Sequence, residues 1–262
     1  MRKLGGGKAH AGDHAMIALM PWRMRTVNPV LPDAMAVRDG LAYSLWLPSG
    51  DGAARGGIVI LHGAGSCKEN HHDFARSAVA SGLAAVAFDQ RGHGESEGPM
   101  DGRALDDVAA MADLLREHMP DGTPVALRGS SMGGYMSILT ARGSRAAAVV
   151  AICPASAEGL ARGLASGALQ FDVDRVGVEE LLSDHDLDAA VSELPCPLLL
   201  LHAEGDEQVP VEHSRELAKL MPQPGSRLVT VPGGHHRSVQ HDPELNALAL
   251  RFLDRAFADA SG

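Results

Sequence analysis

Short, nearly unbroken apolar runs alternate with longer Ala/Leu-rich segments along most of this chain. LAYSLWLP (41–48), GIVILHG (57–63), LAAVAFD (83–89), PVALRGS (124–130), AAVVAICP (147–154), PLLLLHAEGD (197–206) and SRLVTVPGG (226–234) have the length and composition of strands. Several lack the polar–apolar alternation of a half-exposed strand, which fits parallel strands buried on both faces. Between them, HHDFARSAVASG (71–82), RALDDVAAMADLLREHM (103–119), MGGYMSILTARG (132–143), EHSRELAKLM (212–221) and DPELNALALRFLDRAFADA (242–260) carry helical spacing. The last has Pro243 in its first turn, where a missing N–H is tolerated. This repeated alternation predicts an α/β fold, a mostly parallel sheet with helices on both faces.

Two stretches break the rhythm. Residues 1–35 are poorly patterned and read as a loose arm. After AICP the chain spends about 40 residues before its next strand, long for a crossover. Within them AEGLARGLASGALQF and VEELLSDHDLDAAVSEL have helical spacing. Residues 155–194 are therefore expected to form a small helical cap over the carboxyl edge of the sheet, inside one domain spanning 1–262. A single crossover helix with a surface turn is the plainer alternative.

Composition narrows what such a fold can serve. With 262 residues, 45% of them hydrophobic, the chain can bury a substantial core. A formal net charge of −10 without a basic tract argues against nucleic acid as a partner. No run approaches the length of an apolar membrane span, so no membrane insertion is expected. The basic start MRKLGGGKAH resembles a secretory leader, but Lys8, Asp13 and the glycines interrupt the apolar stretch a leader needs. Three scattered cysteines, Cys67, Cys153 and Cys196, fit a reducing cytoplasm better than a disulfide framework. Homo-oligomerisation is left open by the sequence.

The chemistry is written at strand ends. Gly129-Ser130-Ser131-Met132-Gly133 fits G-x-S-x-G, with a strand before it and a helix after it. A turn that tight strains its central residue and needs small neighbours two positions away on each side. The serine so lifted, Ser131, would face the amide groups of a starting helix. A serine hydroxyl is a weak nucleophile until a base takes its proton, so a base and a carboxylate are needed at other strand ends. His62-Gly63-Ala64-Gly65 follows one strand and can present the Ala64 N–H to a developing oxyanion, with the Met132 N–H as second donor. Asp206 follows another strand and is preferred as the acid over Glu204 and Glu207. After a third come Gly233-Gly234-His235-His236, where His236 is preferred as the base over His235. The chain order Ser131, Asp206, His236 is that of the hydrolase elbow and not of the chymotrypsin or subtilisin arrangements.

On these motifs the sequence resembles the α/β-hydrolase fold superfamily over about residues 40–260, closest to its bacterial esterase and serine-aminopeptidase-like branch. LHGAGSCKENHHDFARSAVASGLAAVAFDQRGHGESEG resembles that branch's oxyanion strand and following D-x-R-G-H-G-x-S loop, RGSSMGG its elbow, AEGDEQVP its acid loop and VPGGHHRS its histidine loop, with His236 in the histidine position. The resemblance implies an eight-stranded sheet with one antiparallel strand near its start, and hydrolysis of esters or related acyl bonds without a metal or cofactor. Residues 1–35 have no counterpart in the family.

The reading is a serine hydrolase acting on a small-molecule carboxylic ester through an acyl-enzyme. The acyl pocket is expected to be apolar, lined by cap leucines such as Leu164 and by Phe171, and with few aromatic residues in the chain the substrate is expected to be aliphatic or small. An amidase, peptidase or acyltransferase of the same fold remains an alternative, as does a catalytically silent binding protein. No metal site is expected, since the His71-His72 and His235-His236 pairs lack ligand spacing. His71 and His72 read as a solvated helix start, Asp89, Arg91 and His93 as loop ties, His202 as a strand-end hydrogen-bonding group, and Cys67 as packing.

Overall fold

The computed structural model describes residues 29–49 and 53–260. The chain divides after Val30, and every element below belongs to the unit that begins at Leu31. Residues 1–28, most of the expected arm, lie outside the described residues.

The first half runs β1 (Ala34–Arg38), β2 (Leu41–Trp46), β3 (Gly57–Leu61), α1 (His72–Ala80), β4 (Ala84–Phe88), α2 (Ala104–Arg116), β5 (Val125–Ser130) and α3 (Met132–Thr140). The second half runs β6 (Ala148–Ile152), α4 (Ala157–Ser166), α5 (Arg175–Asp184), α6 (Leu187–Ser192), β7 (Leu198–Ala203), α7 (Val211–Leu220), β8 (Arg227–Val231) and α8 (Pro243–Ala260). The eight strands form one open sheet in the order β1-β2-β4-β3-β5-β6-β7-β8. Only β2 runs opposite to the other seven strands, pairing antiparallel with β1 and β4. This is the α/β-hydrolase architecture that the sequence resemblance implies.

The unbroken apolar runs arise because each central strand feeds two cores. Val59 and Leu61 of β3, Val125 and Leu127 of β5, and Leu198 and Leu200 of β7 share one core with residues of α2, α3 and α7. Ile58 and Ile60, Ala126, and Leu199 and Leu201 from the same strands pack with α1 and α8 on the opposite face. Strand β1 is absent from the hydrophobic pattern for the converse reason. It is an edge strand whose Met35 and Val37 are exposed, so no buried face marks it in the sequence.

Residues 155–194 hold three helices, each started by a side-chain cap. Ser156 accepts from Gly159 N, Asp174 from Val176 N, and Asp186 from Asp188 N and Ala189 N. Leu160, Leu181 and Val191 send one residue from each helix into the α2–α3 core. The link between α4 and α5 is stitched to the loop after β4: Met100 N donates to Asp172 O (3.0 Å), Asp172 N to Gly92 O (3.1 Å) and Asp174 N to Met100 O (2.9 Å). A Cβ on Gly92 would overlap the Asp172 carbonyl, which explains the glycine there.

Strands β3 and β5 are adjacent, yet the chain leaves β3 toward β4 on one side and β5 toward β6 on the other. Such a switch opens a crevice beyond the carboxyl ends of the strands, the usual place for a ligand in an open α/β sheet.

Candidate active site

At the end of β5, Ser131 adopts φ 53° and ψ −116°, a backbone conformation that L residues rarely hold. Strain of this kind is of order 1–3 kcal/mol and persists only where surroundings enforce it. Here the Ser131 N–H donates to Ile152 O (2.8 Å), and its carbonyl accepts from Tyr135 N (3.0 Å) and Ala155 N (3.1 Å). The flanking glycines are sterically required. A Cβ on Gly129 would overlap the Gly133 carbonyl, and one on Gly133 would stand 2.5 Å from Leu61 O and 2.6 Å from His62 O. The neighbouring Ser130 is turned away and donates to Gln240 Oε1 (2.9 Å).

The loop after β3 crosses in front of this turn. His62 is fully buried; its Nδ1–H donates to Gly63 O (2.8 Å) while Nε2 accepts from Gln90 N (3.0 Å). Burial, with the nearby His93 second, pushes its pKa down to about 4, so it stays neutral. Gly65 N donates to Nε2 of His93 (3.0 Å), whose Nδ1–H donates to Arg91 O (3.0 Å). Among the described residues, the amides of Ala64 and Met132 have no acceptor, as donors reserved for a ligand oxygen require.

Asp206 and His236 meet at the ends of β7 and β8. His236 Nδ1 lies 2.7 Å from Asp206 Oδ2. The other carboxylate oxygen, Oδ1, accepts from Gln208 N (2.8 Å) and Val209 N (2.9 Å). Burial alone would raise the pKa of the Asp206 carboxyl, but hydrogen bonds from His202, His236 and the Val209 amide outweigh it and hold it far below the usual carboxylate range. The two loops clasp through glycine: Gly205 N donates to Gly233 O (2.9 Å), and a Cβ on Gly205 would stand 2.5 Å from Gly234 O. Gly233 and Gly234 both have positive φ, 67° and 74°. His235 is exposed, and its N–H donates to Ser238 Oγ (3.0 Å), while Glu204 pairs with Arg215 (3.0 Å). Cys153 Sγ also lies within 4.8 Å of ligand atoms of Asp206 and His236, but burial first of all pushes its thiol up to about 12.

Two cavities meet at Ser131. One, about 460 Å³, is lined by Gly63, Ala64, Gln170, Gln208, His236 and Arg237 among others. The other, about 470 Å³, includes Ala155, Leu160, Leu169, Val209, Pro210 and His213. Neither is lined by Leu164 or Phe171, which corrects the sequence expectation. Leu164 is buried in the core, and Phe171 stacks on His93 with ring centroids 4.2 Å apart. The cap does supply apolar lining, through Leu160 and Leu169.

Two supporting clusters were not legible in the sequence. Lys68, fully buried, bonds Asp89 (2.8 Å) and Glu95 (2.7 Å), while Asp89 also accepts from Lys68 N (2.7 Å) and Glu95 N (2.9 Å). Arg128, also fully buried, donates to Gln240 O (2.9 Å) and Asn246 Oδ1 (3.1 Å) and lies 3.9 Å over the Phe74 ring. His71 sits 3.4 Å from Arg128 and is buried, and His72 packs edge-on against Trp46, so these two histidines are not the solvated helix start that the sequence indicated. Arg91 does tie loops, through Asp107 (2.8 Å), and His202 bonds Val209 O and Ser214 Oγ.

Comparison with known proteins agrees with this fold. A family model described as "Serine aminopeptidase, S33" matches residues 52–171, and one described as "TAP-like protein" matches 182–262. The chain is 29% identical over 227 residues to the protein YfhR of Escherichia coli, covering 82% of this chain and 74% of that one. It is 37% identical over 116 residues to the monoglyceride lipase of Homo sapiens, covering 42% and 37% of the two chains. Among solved structures, Est1E from Butyrivibrio proteoclasticus superposes with a TM-score of 0.70 at 21% identity, over 87% of this chain and 99% of that one, and so shares the fold.

Proposed function

The chain belongs to the α/β-hydrolase superfamily, and on that premise we propose that it is a serine hydrolase cleaving carboxylic esters. The observation that carries this reading is the 2.7 Å contact of His236 with Asp206 at the mouth of a cavity that Ser131 and His236 line together. The relation to a monoglyceride lipase supports an ester as the substrate.

In the proposed reaction, Ser131 Oγ attacks the ester carbonyl carbon while His236 Nε2 takes the hydroxyl proton. Asp206 fixes the imidazole with Nδ1 protonated and stabilises the cation that forms. The carbonyl oxygen, now negative, is held by the Ala64 and Met132 amides, each such donor being worth about 10²–10³ in turnover. Collapse breaks the ester C–O bond, and His236 returns the proton to the leaving alcohol. Water then repeats the attack on the acyl-serine, and Ser131 is regenerated with release of the acid. A reducing cytoplasm is the compartment we infer, from three cysteines that form no disulfide.

A fluorophosphonate probe tests the assignment. Labelling at Ser131, its loss in Ser131→Ala, and hydrolysis of p-nitrophenyl esters by the unaltered protein alone are the expected results. Ester turnover that survives Ser131→Ala would refute it.

A further inference from the structure

The two cavities that meet at Ser131 differ in what they can hold. His236 lines the first and not the second. A leaving alcohol must receive its proton from the imidazole, so it occupies the cavity that His236 lines; the acyl chain takes the other. Leu160, Val209 and Pro210 line that second space and not the first, alongside Arg162, which is ion-paired with Glu158 (3.6 Å), and they suit it to an aliphatic acyl group.

The alcohol side is polar, and its one permanently charged side chain among the described residues is Arg237, directly after the proposed base. Arg237 is exposed and, among the described residues, has no carboxylate partner, whereas Arg91, Arg103, Arg116 and Arg215 are all ion-paired. The chain carries 33 acidic residues against 23 basic ones, yet no Asp or Glu of the described residues lines either cavity. An excess of negative charge elsewhere would repel an anionic substrate, and a local cation at the mouth offsets that repulsion where the leaving group lands. Gln170 lines the same space, and Gln208 both spaces, with side-chain amides that have no partner among the described residues and can bond hydroxyl or carboxylate oxygens.

We propose that Arg237 selects esters whose alcohol portion carries a negative charge, a carboxylate or phosphate a few bonds from the ester oxygen. This rests on the serine hydrolase reading and deepens it. The substrate class is an aliphatic acyl ester of an anionic alcohol.

The test uses two matched esters, 4-(butyryloxy)benzoate and its uncharged amide, 4-(butyryloxy)benzamide. The ratio of their kcat/KM values is compared between proteins, which cancels the intrinsic difference in leaving group. Arg237→Gln should lower the anion-to-neutral ratio by about fivefold, the effect of one exposed charge at contact distance. Arg237→Lys should keep most of it, and added salt should erode it in the unaltered protein. Arg251→Gln, which removes an exposed cation from α8 outside both cavities, should leave the ratio where it was. An unshifted ratio in Arg237→Gln, or an equal shift in Arg251→Gln, overturns the assignment of Arg237 while Ser131 labelling stands. Failure to turn over either ester, with no labelling of Ser131, removes the hydrolase reading and this inference with it.

Discussion

The Gly65 amide donates to Nε2 of His93 across 3.0 Å, and this bond sets the shape of the loop that carries the Ala64 N–H. His93 is held in one tautomer by Arg91 O, its pKa is lowered mainly by burial, and its far face stacks on Phe171 of the cap. His93→Phe should keep the stack but remove the acceptor. We expect kcat to fall by about tenfold or more with KM little changed, because displacing the proposed oxyanion donor would act on the transition state. His93→Gln, which can still accept from Gly65, should recover part of the loss. A rise in KM at constant kcat would show that the loop serves binding instead.

Strain at Ser131 predicts a trade between stability and activity. Glycine adopts φ 53°, ψ −116° freely, whereas alanine does not. Ser131→Gly should therefore gain about 1 kcal/mol, raising Tm by roughly 2–4 °C. Ser131→Ala should show no such gain, and both variants should be inactive. Thermal melts of the three proteins side by side decide the matter; equal Tm values would mean that the turn stores no strain.

Gly129→Ala tests the opposite limit. Its methyl group would overlap the Gly133 carbonyl, which is backbone in the first turn of α3 and cannot swing aside. We expect a loss of about 3 kcal/mol or more, a drop in Tm on the order of 6–12 °C. Gly122→Ala, at a position with open space but φ 80°, should cost about 1 kcal/mol. A Gly129→Ala protein as stable as the parent would contradict the packing described around the elbow.

Acid should destabilise the fold well above the range where carboxylates titrate. His62 has a pKa near 4 when folded against an ordinary value near 6.5, and burial lowers His71 and His93 in the same direction. A lowered histidine pKa means that the unfolded chain binds the proton more readily. The stability is complete above about pH 6.5 and is lost as pH falls toward 4. His62 alone should account for about 3 kcal/mol over that window. Urea unfolding at several pH values between about 8 and 4.5 should show the decline, and His62→Gln should flatten its slope. A stability that stays level down to pH 5 would count against neutral, buried histidines.

What the sequence disclosed follows from how local each signal is. The central strands were legible because both faces of the sheet are buried, so Ile58 to Leu61 and Leu198 to Leu201 have no polar gaps. Ser131, Asp206 and His236 stand out in the sequence as candidates because each follows a glycine-marked strand end, and the structure brings Asp206 and His236 into contact. Strand β1 was not, since Met35 and Val37 face outward at an edge. Leu164 and Phe171 were misassigned because the direction a cap residue faces depends on how α4 docks, and no local pattern encodes that. The Lys68–Asp89 and Arg128–Gln240 contacts join residues 21 and 112 positions apart, distances over which a single sequence carries no pairing signal.

Arg128 gives the final helix a second job. Its guanidinium bridges Gln240, four residues past the proposed base, and Asn246 in the opening turns of α8. A protein engineer who trimmed the chain before Asn246, or permuted it to begin there, would be removing the anchor of the histidine loop along with a surface helix. Tags, fusion partners and tethers are better joined after Ala260, beyond the last turn of that helix.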